Sequence, residues 1–494
     1  MLRPLLFALT YTATAAAPNY QVYNGLNQVY NVALSEQNTT TVKYLGALAT
    51  SDHCAKACIS MVQRCWSFTW HNVSGTFHHQ CFGLTSPRWS PTPDSTEIVS
   101  GIVEWPCRND QDCSLNGRCD TQGHCQCDPS WMGARCQTLN LLPATHGAGY
   151  RGVDDGHNTS SWGGAVLKDE TDGRYHMFAA EMTEHCGIGA WAQNSRIVHA
   201  SSAAPGGAYE RDGVVWNVFS HEPEVVRGPN NEYVMYYTAN IRSKHGVCNC
   251  CKTTSKCDGS TGPNDCPSGS SFLPERRRLD ADPSYMSWSM SPNGPWSTPM
   301  QIFAGYRGSD TNFAPVILKN GSLVALWREW TNRGSRVYLA TALDWKNAST
   351  YNQHLERGEL FPDLGTAGTE DPFVWIDSNG HFHSVFHHMY GYRSSTQWWL
   401  DAVGGHAFST DGIDWTYTGV AWGDPTTVDQ GNVVHFMDGS AFRFTRRERP
   451  HLIFHANQSI SHLITAAQYG EGKNPGAHGD NGDASYTLVQ PVRL

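Results

Sequence analysis

After its first residues the chain has no apolar run approaching the roughly 20 residues that a membrane-spanning helix needs. It also lacks a basic patch: charged residues are only 16% of the 494, and the formal net charge is −10. That balance argues against nucleic acid or an anionic membrane as partner. The short arginine runs at 276–278 and 446–449 read as solvated or locally paired side chains. No metal-binding motif of reliable spacing is present. What the chain does have is aromatic rings (11%, with 18 Trp) and 47 Gly. That composition favours rigid β structure with tight turns over helical or disordered architecture. The length suffices for two or three domains with a large core.

The amino terminus reads Met1-Leu2-Arg3-Pro4, an apolar stretch from Leu5 to Leu9, then Thr14-Ala15-Ala16-Ala17. A charged start, a short apolar core and small residues at the end predict a signal peptide over residues 1–17 and a soluble, secreted product. Six N-x-S/T sequons agree with that compartment: Asn38, Asn72, Asn158, Asn320, Asn347 and Asn457. The 16 cysteines are an even number, which fits full pairing in an oxidising space. Ten lie between Cys54 and Cys136, and six between Cys186 and Cys266. The vicinal pair Cys250-Cys251, with Cys248 and Cys257 nearby, reads as a disulfide-stapled insertion over 241–283 rather than a metal site.

Residues 107–136 run C-x5-C-x5-C-x5-C-x-C-x8-C, with Gly133 shortly before Cys136. This pattern resembles an EGF-like module. The resemblance implies pairing of Cys107 with Cys119, Cys113 with Cys125 and Cys127 with Cys136. So small a unit depends on its bridges, and its plain role is a rigid spacer. Residues 18–106 contain Cys54-x3-Cys58, Cys65-Trp66-Ser67-Phe68 and Gln80-Cys81-Phe82-Gly83. That spacing looks like a PAN/apple-type module, and family pairing would join Cys54 to Cys81 and Cys58 to Cys65. Such modules bind proteins or glycans, or act as spacers.

From about residue 141 to 494 the pattern changes to repeats. Polar residues, a proline and an apolar run recur at His221-Glu222-Pro223-Glu224-Val225-Val226, Asn312-Phe313-Ala314-Pro315-Val316-Ile317, Thr369-Glu370-Asp371-Pro372-Phe373-Val374-Trp375 and Arg447-Glu448-Arg449-Pro450-His451-Leu452. The apolar runs are split by Asp172-Gly173, Asn230-Asn231, Asn320-Gly321 and Asn379-Gly380, which predict tight hairpins. A second phrase follows each hairpin: Ala200-Ser201-Ser202, Met290-Ser291-Pro292, Ala340-Thr341-Ala342 and Ala407-Phe408-Ser409, each leading to an aromatic residue. A first unit starts at Trp162, and a degenerate fifth spans Val433 to Phe454. Five such units predict an all-β, five-bladed β-propeller, which closes on itself. A β-sandwich would not explain the repeated phrases.

The propeller portion resembles the five-bladed glycosidase superfamily that includes the family 43 arabinanases and xylosidases. The likeness is carried by Asn312-Phe313-Ala314-Pro315, Glu370-Asp371-Pro372 and Asn194-Ser195-Arg196-Ile197-Val198-His199-Ala200. It implies a general base in the first blade, an acid-tuning carboxylate in the third, a Glu general acid in the fourth, and inversion at the anomeric carbon. Such chemistry needs one protonated carboxyl and one ionised carboxylate roughly 6.5–9.5 Å apart. Glu370 matches the acid and Asp310 is the candidate for tuning it, although Asn312 stands where relatives have Asp. The first blade has Ser161-Trp162-Gly163 in place of an Asp-Pro, which leaves Asp155 as candidate base and Glu222 as reserve. Trp162 is a candidate for stacking on a sugar. His221, Asn312, Arg328, Asp371 and Glu448 are candidates for hydrogen-bonding its hydroxyls. No cofactor is expected. His383, His387 and His388 are candidates to hold a central structural ion, but hydrogen-bonded core histidines are the simpler reading.

The expected function is therefore a secreted glycoside hydrolase acting on a polysaccharide. Its partner would be a carbohydrate or glycoprotein, with a further protein partner open to the amino-terminal modules. The rival is a non-catalytic glycan-binding or structural protein of the cell surface or matrix. Hub geometry separates the two: carboxylates facing across an open axis favour the enzyme, and salt-bridged residues closing the axis favour the rival.

Overall fold

The computed structural model describes residues 19–24, 26–27, 42–61, 65, 67–71, 79–84, 92–93, 98–154, 157–183, 187–188, 191–239, 283–306, 308, 311–331, 334–364, 368–389, 403–423, 432–469 and 484–494. The leader stretch 1–17, the cysteines from Cys186 to Cys266, Asp155, Asp310, Asn38 and Asn72 lie outside those residues. So does the side chain of Asn158.

Five four-stranded antiparallel sheets form the propeller. Blade 1 holds Ser161–Lys168, Tyr175–Met182, Ser195–Ser202 and Glu210–Trp216, from the inside outward. Blade 2 holds Ser220–Arg227, Tyr233–Ala239, Ser284–Ser289 and Met300–Gln301. Blade 3 holds Thr311–Ile317, Leu323–Thr331, Gly334–Ala342 and Tyr351–Asn352. Blade 4 holds Thr369–Ile376, Phe382–His388, Val403–Ser409 and Thr416–Trp422. Each inner strand contacts the next, and the inner strand of blade 5 contacts that of blade 1. The ring is closed.

The closure differs from a simple run of five units. Blade 5 takes Arg446–Phe454, Ile460–Gln468 and Ser485–Pro491 from the end of the chain, but its outermost strand is Gly149–Tyr150. Gly149 pairs with Leu488, and its backbone also bonds Gly207 and Tyr209 beside blade 1. A short segment before the first blade thus locks the last blade, which leaves no open seam. Residues Val433–His435 belong to a separate two-stranded sheet with Ala441–Arg443, outside the fifth blade.

The core consists of one apolar layer per blade interface. Phe178 and Ile197 of blade 1 meet Val225, Tyr233 and Met235 of blade 2. Tyr236 of blade 2 meets Phe313 and Trp327 of blade 3. Leu326 and Leu339 of blade 3 meet Phe386 and Tyr417 of blade 4. Val166 and Met177 of blade 1 meet Ile453, Ile464 and Val489 of blade 5. Burial of such a side chain contributes about 1.5–3 kcal/mol, so the interfaces hold the blades at fixed angles around the axis.

The blade 4–blade 5 interface has an extra component. Residues 107–136 carry the bridges Cys107–Cys119, Cys113–Cys125 and Cys127–Cys136. Trp131 and Leu139 join Phe373, Trp375, Trp422 and Leu452 in one buried cluster. The Trp131 ring lies 4.8 Å from the His406 ring, and Thr138 Oγ1 donates to Val420 O at 2.8 Å. The cysteine-rich unit is therefore docked on the propeller, more than a spacer strung between neighbours. Further toward the amino terminus, the helix Ser51–Ile59 packs on a five-stranded sheet through Cys54–Cys81, with Cys58–Cys65 beside it.

Candidate functional site

Every inner strand carries a β-bulge near its start. At each bulge one residue takes the left-handed conformation: Gly163 (φ 68°), Glu222 (56°), Asn312 (52°), Asp371 (52°) and Arg449 (55°). For residues other than glycine this conformation costs on the order of 1–2 kcal/mol. Four strained polar residues at matching places in five blades therefore mark a demand other than stability. The bulge aims these side chains at the axis.

There they neutralise one another. Asn312 Nδ2 donates to Asp371 Oδ1 at 2.7 Å. Arg449 donates its backbone N–H to Asp371 Oδ2 at 3.1 Å, and its Nη1 lies 3.3 Å from Asp371 Oδ1 and 3.9 Å from Glu222 Oε2. Blade 1 offers only Gly163 at this level, and the Arg449 side chain lies against it. The hub is thus filled at the bulge level by an ion-paired arginine.

A second layer lies one residue earlier along the strands. Glu370 is buried; its Oε1 lies 3.2 Å from His387 Nδ1, and its Oε2 accepts from Ser335 Oγ at 3.2 Å and faces Arg328 Nε at 3.4 Å. Glu448 is buried and receives both Nε and Nη2 of Arg446 at 2.7 Å. His387 Nε2 lies 3.8 Å from Glu448 Oε1. His221 is buried beneath Trp191, with Ser195 Oγ 2.6 Å from its Nδ1. Burial pushes its pKa down to about 4.

The electrostatics divide two adjacent carboxyls. Burial raises the Asp371 pKa to about 7, because Arg449 is shared with Glu222 and Glu370 and Glu448 crowd it. Burial also opposes charge on Glu370, yet the His387 hydrogen bond and Arg328 overcome it and hold that group at about 2. Ligand atoms of Glu370, Asp371, His387 and Glu448 lie within 4.8 Å of one another. So tight a group cannot ionise fully without cations. Arg328, Arg446 and Arg449 already supply them, which disfavours a metal ion here.

Several expectations need correction. Glu370 faces the hub, but its environment favours the ionised form, the opposite of what a proton donor requires. Trp162 is buried in an apolar cluster, with the Arg446 guanidinium 4.7 Å over its ring, so it presents no open face for a sugar. Of the three histidines considered for a central ion, only His387 is at the hub. His383 lies near the far end beside Asp377 and His406, and His388 lies beside Tyr417. Of the two readings of the 446–449 run, the paired one holds and the solvated one does not: Arg446 bonds Glu448, and the buried Arg447 and Arg449 bond Gln490 and Asp371. Asn320, Asn347 and Asn457 are exposed. Asp155 and Asp310 lie outside the described residues.

Sequence reasoning missed Arg446, Arg449 and the exposed Trp330. Trp330 lies beside Arg328, whose guanidinium is 5.3 Å from its ring. A signal for Arg449 was present: it precedes Pro450 as Asp371 precedes Pro372 and Glu222 precedes Pro223. At the other end of the axis the inner strands line an open-mouthed pocket of about 290 Å³, its walls largely apolar residues such as Val166, Val225, Val316, Trp375 and Phe454.

Residues 107–136 match the family model for the EGF-like domain. No curated protein matches the chain. Solved structures similar to it include a thermostable family-43 glycoside hydrolase (16% identity, 71% of this chain and 93% of that one, TM-score 0.42). A family 117 glycoside hydrolase of the marine bacterium Zobellia galactanivorans shares 14% identity over 72% of this chain and 90% of its own, with a TM-score of 0.42. The catalytic domain of the GH62 α-L-arabinofuranosidase of Coprinopsis cinerea shares 13% over 72% and 96%, with a TM-score of 0.43. Likeness at this level does not decide activity.

Proposed function

We propose that the protein is a secreted glycoside hydrolase whose polysaccharide substrate meets the propeller where the five inner strands begin. The observation that carries this is the opposed titration of neighbouring carboxyls, Asp371 lifted to about 7 and Glu370 held at about 2. Glycosidic cleavage needs that division, one carboxyl protonated near neutral pH and one ionised. In this reading Asp371 holds the proton destined for the leaving oxygen, and Glu370 keeps the site negative. Glu222, the least buried of these axial carboxylates, is the group that would draw a proton from water. The water oxygen bonds the anomeric carbon as the glycosidic bond breaks, which gives inversion. Trp330 offers an aromatic face on the rim for a sugar ring. Residues 18–106 as a PAN/apple-like module and 107–136 as an EGF-like one would tether the propeller, residues 141–494, outside the cell. The paired cysteines of 54–136 and the sequons support that location.

A second reading, a glycan-binding propeller without turnover, is the one that the hub geometry favours: Arg449 fills the space over Gly163 and is ion-paired with Asp371 and Glu222, so salt-bridged side chains close the axis at the bulge level. Reducing-sugar release over a polysaccharide panel separates the two. The enzyme should release sugar, and Asp371→Asn should lower the rate by about 10²–10⁴-fold with glycan binding retained. Binding without release by the wild type would establish the second reading.

A further inference from the structure

Three loops repeat one local arrangement. In Asn320-Gly321-Ser322, Asn347-Ala348-Ser349 and Asn457-Gln458-Ser459 the asparagine Oδ1 accepts two hydrogen bonds from the serine two places on. The serine N–H donates at 3.1 Å in all three, and its hydroxyl donates at 2.7, 2.8 and 2.7 Å. Each amide is thus held through its oxygen, its Nδ2 bonds no other group among the described residues, and each asparagine is exposed. The fold gathers the three at one end. Asn320 lies in the hairpin after the inner strand of blade 3 and Asn457 in the matching hairpin of blade 5, each three residues beyond the strand's last residue, Ile317 or Phe454. Asn347 follows the strand Gly334–Ala342, whose last residue pairs with Leu323 beside the Asn320 hairpin. The hub residues stand where the inner strands begin, so all three asparagines lie on the opposite face. Apolar surface meets water on that face: Ile317 and Phe454 line the pocket at its mouth, and Leu343, four residues before Asn347, is 82% exposed.

We propose that Asn320, Asn347 and Asn457 carry N-linked oligosaccharides, and that those on Asn320 and Asn457 cover the mouth of the apolar pocket and leave the hub face bare. The inference rests on the secreted location read above and is independent of hydrolysis. Each Asn-x-Ser is an acceptor sequence for this modification. In the transfer, Nδ2 bonds the anomeric carbon of an oligosaccharide supplied on a lipid diphosphate. The carbon–oxygen bond to phosphate breaks, the lipid diphosphate leaves, and the amide gives up one proton. Because Nδ2 holds nothing in the fold, the new bond leaves every hydrogen bond of the loop in place. A bulky, solubilising chain there also keeps apart the apolar surfaces that the far end of the propeller exposes.

The test is expression of the full chain in the secretory pathway of animal cells, followed by peptide mapping after treatment with peptide-N-glycanase, which leaves Asp wherever a sugar-bearing Asn stood. Conversion is expected at all three positions. Should the chain's own leader fail, a host leader in place of residues 1–17 brings it to the same compartment, so a failure of the location reading is seen separately. Secreted protein unconverted at any of the three overturns the assignment. Covering of the pocket is read with the apolar dye anilinonaphthalene sulfonate. Ser322→Ala with Ser459→Ala removes both acceptor sequences without altering the pocket lining, and should raise dye fluorescence several-fold over the glycosylated wild type. Release of the sugars from the native wild type should do the same, and it decides the question if the double variant fails to fold. Equal fluorescence before and after release overturns the covering.

Discussion

Gly163 of blade 1 and Arg449 of blade 5 share one place at the hub: a Cβ on Gly163 would stand 2.6 Å from Arg449 Cβ. The glycine also holds φ at 68°. Gly163→Ala should therefore lose about 2–4 kcal/mol, part from left-handed strain and part from overpacking. Arg449→Gly should cost about 3–5 kcal/mol, because it leaves Asp371 and Glu222 without their buried cation. The informative variant is the double one. Glycine at 449 removes the Cβ that the new methyl would meet, so the two losses should fall short of additivity by at least about 1 kcal/mol in urea unfolding. Additive losses would mean that the two residues do not compete for space.

The blade count and hairpins were legible because apolar runs broken by Asn-Gly or Asp-Gly leave little choice of structure. The closing strand was not, since Gly149-Tyr150 is two residues long and pairs with residues more than 300 positions away. The hub was half legible. Proline phrases located the strands, but Pro315 lies three residues past its bulge residue, whereas Pro223, Pro372 and Pro450 follow theirs directly. Aligning the phrases on proline therefore shifts blade 3 out of step with the others. Positive φ at Glu222 and Arg449 has no sequence signature, because bulge geometry imposes it against residue preference; Asn312 and Asp371 are of the types that tolerate it. The ionised state of Glu370 also depends on partners from other strands and from blade 3, Arg328 and Ser335 among them.

Stability should carry the mark of Asp371 between pH 4 and 7. A carboxyl whose pKa rises to about 7 on folding binds more protons folded than unfolded. Its contribution is complete below its unfolded pKa of about 3.9 and is lost as pH rises through about 7. Glu370 behaves oppositely: with a folded pKa of about 2 its contribution is present above about 4.3 and fades as pH falls toward 2. Urea midpoints measured from pH 2 to 8 should show Asp371→Asn removing part of the decline from pH 4 to 7. Glu370→Gln should remove part of the acid-side loss. A wild-type minus Asp371→Asn difference that stays flat across pH 4–7 would refute the shift.

Trp131 ties the EGF-like residues to the propeller by packing in the cluster that holds Phe373 and Trp422. Trp131→Ala opens that cluster and should cost about 3–5 kcal/mol at the interface. Native-state proteolysis should then cut between the EGF-like residues and blade 1 several-fold faster than in the wild type. The three disulfides keep the small unit itself intact, which makes cleavage a report on docking rather than on its unfolding. An unchanged cleavage rate would show that the contact contributes nothing.

Closure of the ring can be tested at two nearby glycines that differ in one respect. Gly147 and Gly149 both have positive φ, 83° and 101°. A Cβ on Gly147 would meet nothing within 4 Å, whereas on Gly149 it would lie 2.0 Å from the Thr487 carbonyl oxygen. Gly147→Ala should thus cost only the conformational term, about 1–2 kcal/mol. Gly149→Ala cannot be relieved by a side-chain rotation, because the obstacle is the backbone of the strand it pairs with, at Thr487. It must either displace the closing strand or distort blade 5, and a loss well above that of Gly147→Ala is expected in denaturant unfolding. The excess measures what the two-residue strand contributes by sealing the ring. Equal losses at the two glycines would show that the propeller holds together without its closing strand.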